Sequence, residues 1–183
     1  KCFIIRFADD FIIGFQLESD AKRLMEVLPK RFEGFALTLH PRKTRLIAFG
    51  KPARNAKAQG TFDFLGFTFY WGKSLKGNWV IKKKTARKRR NRFMRMLWSW
   101  CKKNRHDPLS DQHETLCSKL RGFYQYFGVR SNFKVLEVVY EYAQKAWKHW
   151  LGRRHRDGYI SHRKFDNILA RYPLPRPRIV HNI

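Results

Sequence analysis

Negative charge is what this sequence has least of. Its 14 Asp and Glu stand against 40 Lys and Arg, leaving a formal net charge of +26 at pH 7. That imbalance excludes a surface that neutralises itself and points to a polyanion, nucleic acid ahead of an anionic membrane surface. Cysteine is also scarce. Cys2, Cys101 and Cys117 are odd in number and widely scattered, which excludes a disulfide framework and a CxxC zinc site and suggests a reducing interior. No apolar run approaches the roughly 20 residues that span a bilayer, so no membrane partner is expected. The seven His residues show no ligand spacing with the cysteines, so no zinc is expected. The absence of a CxxC or HNH-like cluster after residue 152 argues against an appended endonuclease domain. No internal repeat and no signal-peptide pattern are visible. With Lys1 as first residue, the sequence reads as a piece of a longer protein.

What is present can fold. Hydrophobic residues make up 43% and aromatics 16%, enough for a real core and too many for a disordered basic tail. The 183 residues suit one domain with a small extension. Charge divides them unevenly: residues 1–81 carry 14 basic and 7 acidic side chains, residues 82–183 carry 26 and 7. Lys82 to Arg105 holds 12 basic residues and no acid. A solvated helix face would leave those cations repelling one another; counter-charge from RNA accounts for them better. The expected organisation is 1–81, a helical 82–152, and a basic, proline-rich tail over 153–183.

Within the first part, Phe3-Ile4-Ile5 and Phe11-Ile12-Ile13 flank Ala8-Asp9-Asp10. Two β-branched runs around a short acidic break predict a hairpin with carboxylates at its tip, oxygen ligands suited to Mg²⁺. An Asp-Asp pair alone is more often ordinary turn chemistry than a metal site. Ser19 or Asp20 is expected to cap a helix carrying Ala21, Leu24, Met25 and Leu28, with Pro29 kinking or ending it. Strands are expected at Phe35 to Leu39, at Leu46 to Phe49 and across the aromatic stretch Thr61 to Trp71, which Gly66 interrupts. Lys76-Gly77-Asn78 predicts a turn before Trp79-Val80-Ile81.

Helical spacing dominates the second part. Thr85 is the expected cap of a helix running to about Asn104, with Phe93, Leu97 and Trp98 or Trp100 on its buried stripe. Ser110 or Asp111 starts another, with Leu116, Leu120, Phe123, Tyr124 and Phe127 inward and Gly128 as its stop. Asn132 caps a third, with a broad apolar face from Val135 to Trp150. Beyond Gly152 the chain reads as irregular, and Pro173-Leu174-Pro175-Arg176-Pro177 as an extended arm.

Four motifs in order carry a family resemblance. Phe7-Ala8-Asp9-Asp10 resembles the YADD motif of bacterial group II intron reverse transcriptases, with Phe in place of Tyr. Leu37 to Arg45, containing Lys43-Thr44, resembles the motif that follows it. Phe64-Leu65-Gly66-Phe67 is similar to the primer grip, and Leu120 to Phe127 to the maturase (X) domain that forms the thumb. The resemblance implies an α+β chain, the later strands of a right-hand polymerase palm followed by a helical thumb. It implies RNA-directed DNA polymerase and splicing-maturase chemistry in a bacterial cytoplasmic ribonucleoprotein. Asp9 and Asp10 become Mg²⁺ ligands of a two-metal site, and Lys43 a proton donor or clamp near the leaving phosphates. Leu65, Gly66 and Phe67 become the primer grip.

The expected partners are group II intron RNA, a template–primer duplex and an upstream fingers and palm portion. Phosphates would be met by Lys82, Lys83, Lys84, Arg87, Lys88, Arg89, Arg90, Arg92, Arg95 and Arg121. The early palm carboxylate is not among these residues, so the chain alone is expected not to polymerise DNA. The alternatives are a non-enzymatic RNA-binding maturase remnant and a retron or CRISPR-associated reverse transcriptase fragment.

Overall fold

A computed structural model of the chain describes residues 1–58, 60–155 and 158–182. Cys2–Phe7 (β1) and Asp10–Phe15 (β2) pair antiparallel, with Phe7 opposite Asp10 and Cys2 opposite Phe15. The helix α1 (Glu18–Glu33) follows. Phe62–Phe64 (β3), Phe67–Lys73 (β4) and Trp79–Thr85 (β5) form a second sheet in the order β3-β4-β5. Four helices complete the chain: α2 (Arg87–Lys103), α3 (Leu109–Phe127), α4 (Phe133–Gly152) and α5 (His162–Arg171). The class is α+β, as expected. Two compact units divide it: Lys1–Leu65 with Tyr70–Val80, and Gly66–Phe69 with Ile81–Ile183. No helix among the described residues is long and apolar enough to cross a membrane.

In the first unit the helix α1 starts at Glu18, one residue before the expected cap, with no side-chain cap at Leu17. Glu18 and Asp20 lie in its first turn, where carboxylates complement the helix dipole. Pro29 neither ends nor replaces it. The helix runs on to Glu33, and Phe32 stacks on Phe11 of β2 with ring centroids 6.3 Å apart. Tertiary packing here overrides the loss of one backbone donor.

Neither Phe35 to Leu39 nor Leu46 to Phe49 is a strand. The first is taken up in closing α1: Leu37 N–H donates to Phe32 O and Ala36 N–H to Glu33 O, both at 3.0 Å, with Ala36 left-handed at φ 54°. In the second, the Phe49 carbonyl accepts from the Trp71 indole at 3.2 Å, and the Phe49 ring meets Phe62 edge-on at 4.8 Å. Further along the same segment the Trp79 indole donates to Ala53 O at 3.0 Å. Side-chain donors occupy carbonyls that a strand would offer to a ladder.

The second unit buries its helices' apolar stripes against one another. Leu97 and Cys101 of α2, Leu116, Leu120, Phe123 and Tyr124 of α3, and Leu136, Val139, Ala143, Ala146 and Trp147 of α4 form one core. The spacing that predicted α3 and α4 holds, with α3 starting at Leu109 rather than at Ser110 or Asp111. Gly128 follows α3 as its cap residue. Gln112, almost fully buried, accepts from the Trp147 indole (2.9 Å) and donates to Asp107 O (2.8 Å), so the largest core side chain keeps its polar atom satisfied.

Two expectations change here. Thr85 does not cap α2; it ends β5, and the helix opens at Arg87 with Ala86 at the cap position. Asn132 precedes α4 without capping it. Its amide instead donates to Thr85 Oγ1 (2.8 Å) and Phe127 O (2.9 Å), and its Oδ1 accepts from Thr85 N–H (2.8 Å).

Residues 153–183 are not simply an irregular arm. Ser161 caps α5 by accepting from Lys164 N–H (3.3 Å), and Phe165 and Leu174 are buried in the core. The extended end is tied down as well: Gly128 O accepts from Val180 N–H (2.7 Å) and His181 N–H (2.9 Å). His113 Nε2 donates to Pro173 O at 2.9 Å and His181 Nε2 to Gln125 O at 2.7 Å. Prolines exclude a helix there, but they leave carbonyls free to be bound.

Candidate nucleic-acid interface

The interface begins at the turn Leu65-Gly66, which the sequence reading placed as an interruption within one strand. Both residues have positive φ, 49° and 78°. Two left-handed residues in a two-residue loop make a type I′ hairpin, the turn whose twist matches its flanking strands. Glycine suits the second position, while Leu65 occupies the first against the usual preference.

Within the second unit, Gly66 and Phe67 meet residues far along the chain. A side chain at Gly66 would stand 3.5 Å from the Phe127 ring and 3.7 Å from the Arg89 stem. The Gly66 carbonyl accepts from Ala86 N–H at 2.9 Å, just before α2. Phe67 stacks on Tyr126 at 5.9 Å with planes 13° apart and meets Phe127 edge-on at 5.1 Å. Lys83 Nζ stands 5.8 Å from the Phe67 ring centre, within cation–π range. Ser131 fixes the backbone of Lys83, accepting from its N–H at 3.1 Å and donating to its carbonyl. Glycine, aromatic rings and two cations thus converge from β4, β5, α2 and α3.

Lys82, Lys83 and Lys84 stand on β5 and not on a helix, a correction to the single basic helix expected from Lys82 to Arg105. The β-sheet continues to Thr85 because Asn132 and Ser131 satisfy its backbone. Along α2 the remaining cations follow one face. Lys88, Arg92, Arg95 and Lys102 are exposed and recur at spacings of four, three and seven, which keeps them on one side of a helix. Arg87 and Arg89 flank that stripe and are exposed. Arg90 is turned partly inward and donates to Asn91 Oδ1 at 3.2 Å. Arg121 is exposed on α3, close enough to Cys117 to oppose the upward shift that burial gives its thiol.

The acidic pair occupies the other unit. Asp9 lies in the two-residue turn after left-handed Ala8, and Asp10 opens β2; both are exposed. Arg6 Nε donates to Ala8 O at 2.9 Å, bracing the turn. Two hard oxygen donors suit Mg²⁺, which commonly takes one or two carboxylates and completes its shell with water and phosphate. Among the described residues no group of three His, Cys, Asp or Glu stands close enough to hold a metal ion. Lys43 is exposed in the turn His40 to Thr44, where its N–H donates to His40 O at 3.0 Å; it forms no ion pair with Asp9 or Asp10.

The sequence reading does not single out Tyr126 or Ser131, and it takes Asn132 for a helix cap rather than for the partner of Thr85. Tyr126 sits within the resembling segment, but only the fold puts it against Phe67. Compared with protein-family models, curated proteins and solved structures, the chain matches none.

Proposed function

We propose that this chain is the late-palm and thumb portion of a reverse transcriptase and maturase of the group II intron type. On this reading it binds intron RNA and a template–primer duplex through the second unit and contributes Asp9 and Asp10 to nucleotidyl transfer. The observation that carries the reading is the convergence of Gly66 and Phe67 with Lys83, Arg89 and Tyr126. Cations alone would suit any polyanion, but aromatic rings set beside a bare glycine backbone suit the end of a strand with an exposed base. The α2 stripe then tracks the phosphates of the duplex behind it.

Mg²⁺ bound at Asp9 and Asp10 would activate a primer hydroxyl and stabilise the leaving pyrophosphate. The chain's own part is to present two carboxylates on a braced turn and, through Lys43, a cation on the same unit. The early palm carboxylate lies outside these residues, so RNA binding belongs to this chain and polymerisation to an assembly that adds that carboxylate.

The test has two readouts. Asp9→Ala with Asp10→Ala abolishes cDNA synthesis by an enzyme reconstituted with a fingers and early-palm portion, and leaves RNA affinity within about twofold, as expected for groups that make no phosphate contact. Primer extension by the purified chain alone, or failure of that chain to bind RNA, overturns the proposal.

A further inference from the structure

A second feature of the helical unit lies in α4 and α5. A cleft of about 890 Å³ opens along one face of each, lined from α4 by Glu141, Lys145, Lys148 and Gly152 and from α5 by Phe165 and Asp166. The lining positions of α4 and α5 recur at three and four, so each helix gives the cleft a continuous face. Its size is that of a small-molecule site rather than a packing defect.

The mouth is shaped by two glycines. A side chain at Gly152 would stand 3.3 Å from Ile160 N and 3.7 Å from Tyr159 Cα, and one at Gly158 would collide with Gly152 O. The bare backbone at both positions lets Gly158, Tyr159 and Ile160 approach the end of α4. That holds Tyr159 at the cleft with 76% of its surface exposed. A ring that exposed, beside the cleft, has a face open to a stacking partner.

The charges limit what the partner is. Lys145, Lys148 and Arg153 line the same cleft as the carboxylates Glu141 and Asp166, and among the described residues no ion pair joins the two sets. A ligand made only of phosphates would gain the cations and be repelled by the acids. An apolar ligand would leave both unpaired. A nucleotide satisfies both, with an anionic phosphate at one end and a base at the other that offers N–H donors at its edge and a π-face for stacking.

We propose that this cleft captures one unpaired nucleotide of single-stranded RNA, its base on Tyr159 and its phosphate among Lys145, Lys148 and Arg153. The inference rests on the RNA-binding reading above and adds to it a second site, selective for unpaired strands.

Fluorescence anisotropy with the full chain tests it, using an unstructured single-stranded RNA, the same strand annealed into a duplex, and an abasic strand of equal length. Tyr159→Ala is expected to weaken single-strand binding about tenfold, within the range measured for loss of one base–aromatic stack, and to leave duplex binding within about twofold. The abasic strand is expected to bind wild type and variant alike. Tyr159 is too exposed for its removal to unfold the chain. Gly158→Ala, whose added methyl would collide with Gly152 O and so shift Tyr159 while keeping the ring, is expected to give the same selective loss. Equal weakening of single strand and duplex, or of neither, overturns the nucleotide site while the RNA-binding reading stands. A wild-type chain that binds no RNA overturns both.

Discussion

The two units use similar apolar residues in opposite ways. In the first, Phe3, Ile4, Ile5 and Phe7 of β1 are each more than half exposed, and Ala21 is its one buried hydrophobic side chain among the described residues. In the second, Leu97, Leu116, Leu120, Leu136, Val139, Ala143 and Trp147 are completely buried. Composition alone does not separate them. The difference is whether the periodic face has another face to meet: α2, α3 and α4 supply stripes to each other, whereas β1 has a single neighbour in β2. An isolated two-stranded ladder is marginal in water, so cooperative stability resides in the helical unit and the acidic turn sits on its less stable counterpart.

Hydrogen exchange would break or sharpen this contrast most directly. Core amides open only with global unfolding, and a hairpin frays at little cost. A difference of about 4 kcal/mol between the two corresponds to about a thousandfold in exchange rate. Amides of Leu120 and Val139 are therefore expected to exchange about that much more slowly than those of Ile4 and Ile12. Equal protection would show that the hairpin shares the cooperative fold.

A smaller effect follows at Asn132, which is wholly buried and makes three hydrogen bonds, two to Thr85 of β5 and one to Phe127 at the end of α3. Asn132→Ala leaves the buried Thr85 N–H without its acceptor and takes one of two donors from the Phe127 carbonyl, which keeps Val129 N–H. The expected loss is about 2–4 kcal/mol in urea unfolding. Asp9→Ala and Asp10→Ala, on exposed residues, are each expected within about 0.5 kcal/mol of wild type. A cost at Asp9 as large as that at Asn132 would reverse the ranking of the units.

What the sequence made legible follows the same division. Local signals survived: the hairpin around Ala8-Asp9, the turn at Lys76-Gly77-Asn78 and the buried stripes of α3 and α4. Each depends on residues within one or two turns of one another. Signals needing a distant partner did not survive. Leu46 to Phe49 looks like a strand until Trp71 takes its carbonyl, and Lys82 to Lys84 look helical until Ser131 and Asn132 hold them in β5. The helix α5 was locally readable, from Ser161 as cap and Phe165, Ile168 and Leu169 at helical spacing, but the surrounding basic residues masked it. For the interface, Gly66, Phe67, Lys83 and Arg89 were all singled out from the sequence, on three separate arguments. Their meeting, and Tyr126 beside them, depends on how β4, β5, α2 and α3 pack.

On the RNA-binding proposal, the basic stripe would separate the units by function. Replacing Lys88, Arg92 and Arg95 together with alanine is expected to lower RNA affinity about tenfold. It should also make the salt dependence shallower by about 2 in log K against log salt, near 0.7–0.9 per lost phosphate contact. The Asp9→Ala, Asp10→Ala pair is expected to leave both quantities unchanged. If removing the acids instead strengthens binding as much as removing the cations weakens it, the acidic turn lies along the RNA path.

The smallest effect tests how dry the helical core is. Burial pushes the Cys101 thiol up to about 12, whereas an unfolded thiol ionises near about 8.5. The folded state then holds its proton through a range in which the unfolded state releases it. The stabilisation is whole below about pH 8.5 and is lost as pH rises from there towards 12. Between about pH 9 and 10, wild type is expected to lose about 1 kcal/mol more than Cys101→Ala, since one pH unit in that window is worth 1.36 kcal/mol per group. The other titrating groups, Cys117 among them, are common to both proteins and cancel in the difference, apart from the small part of the Tyr142 shift that Cys101 itself causes. Parallel loss by the two would mean that water or a counter-charge reaches Cys101, and that the core of the second unit is less closed than its complete burial of Leu97 and Trp147 implies.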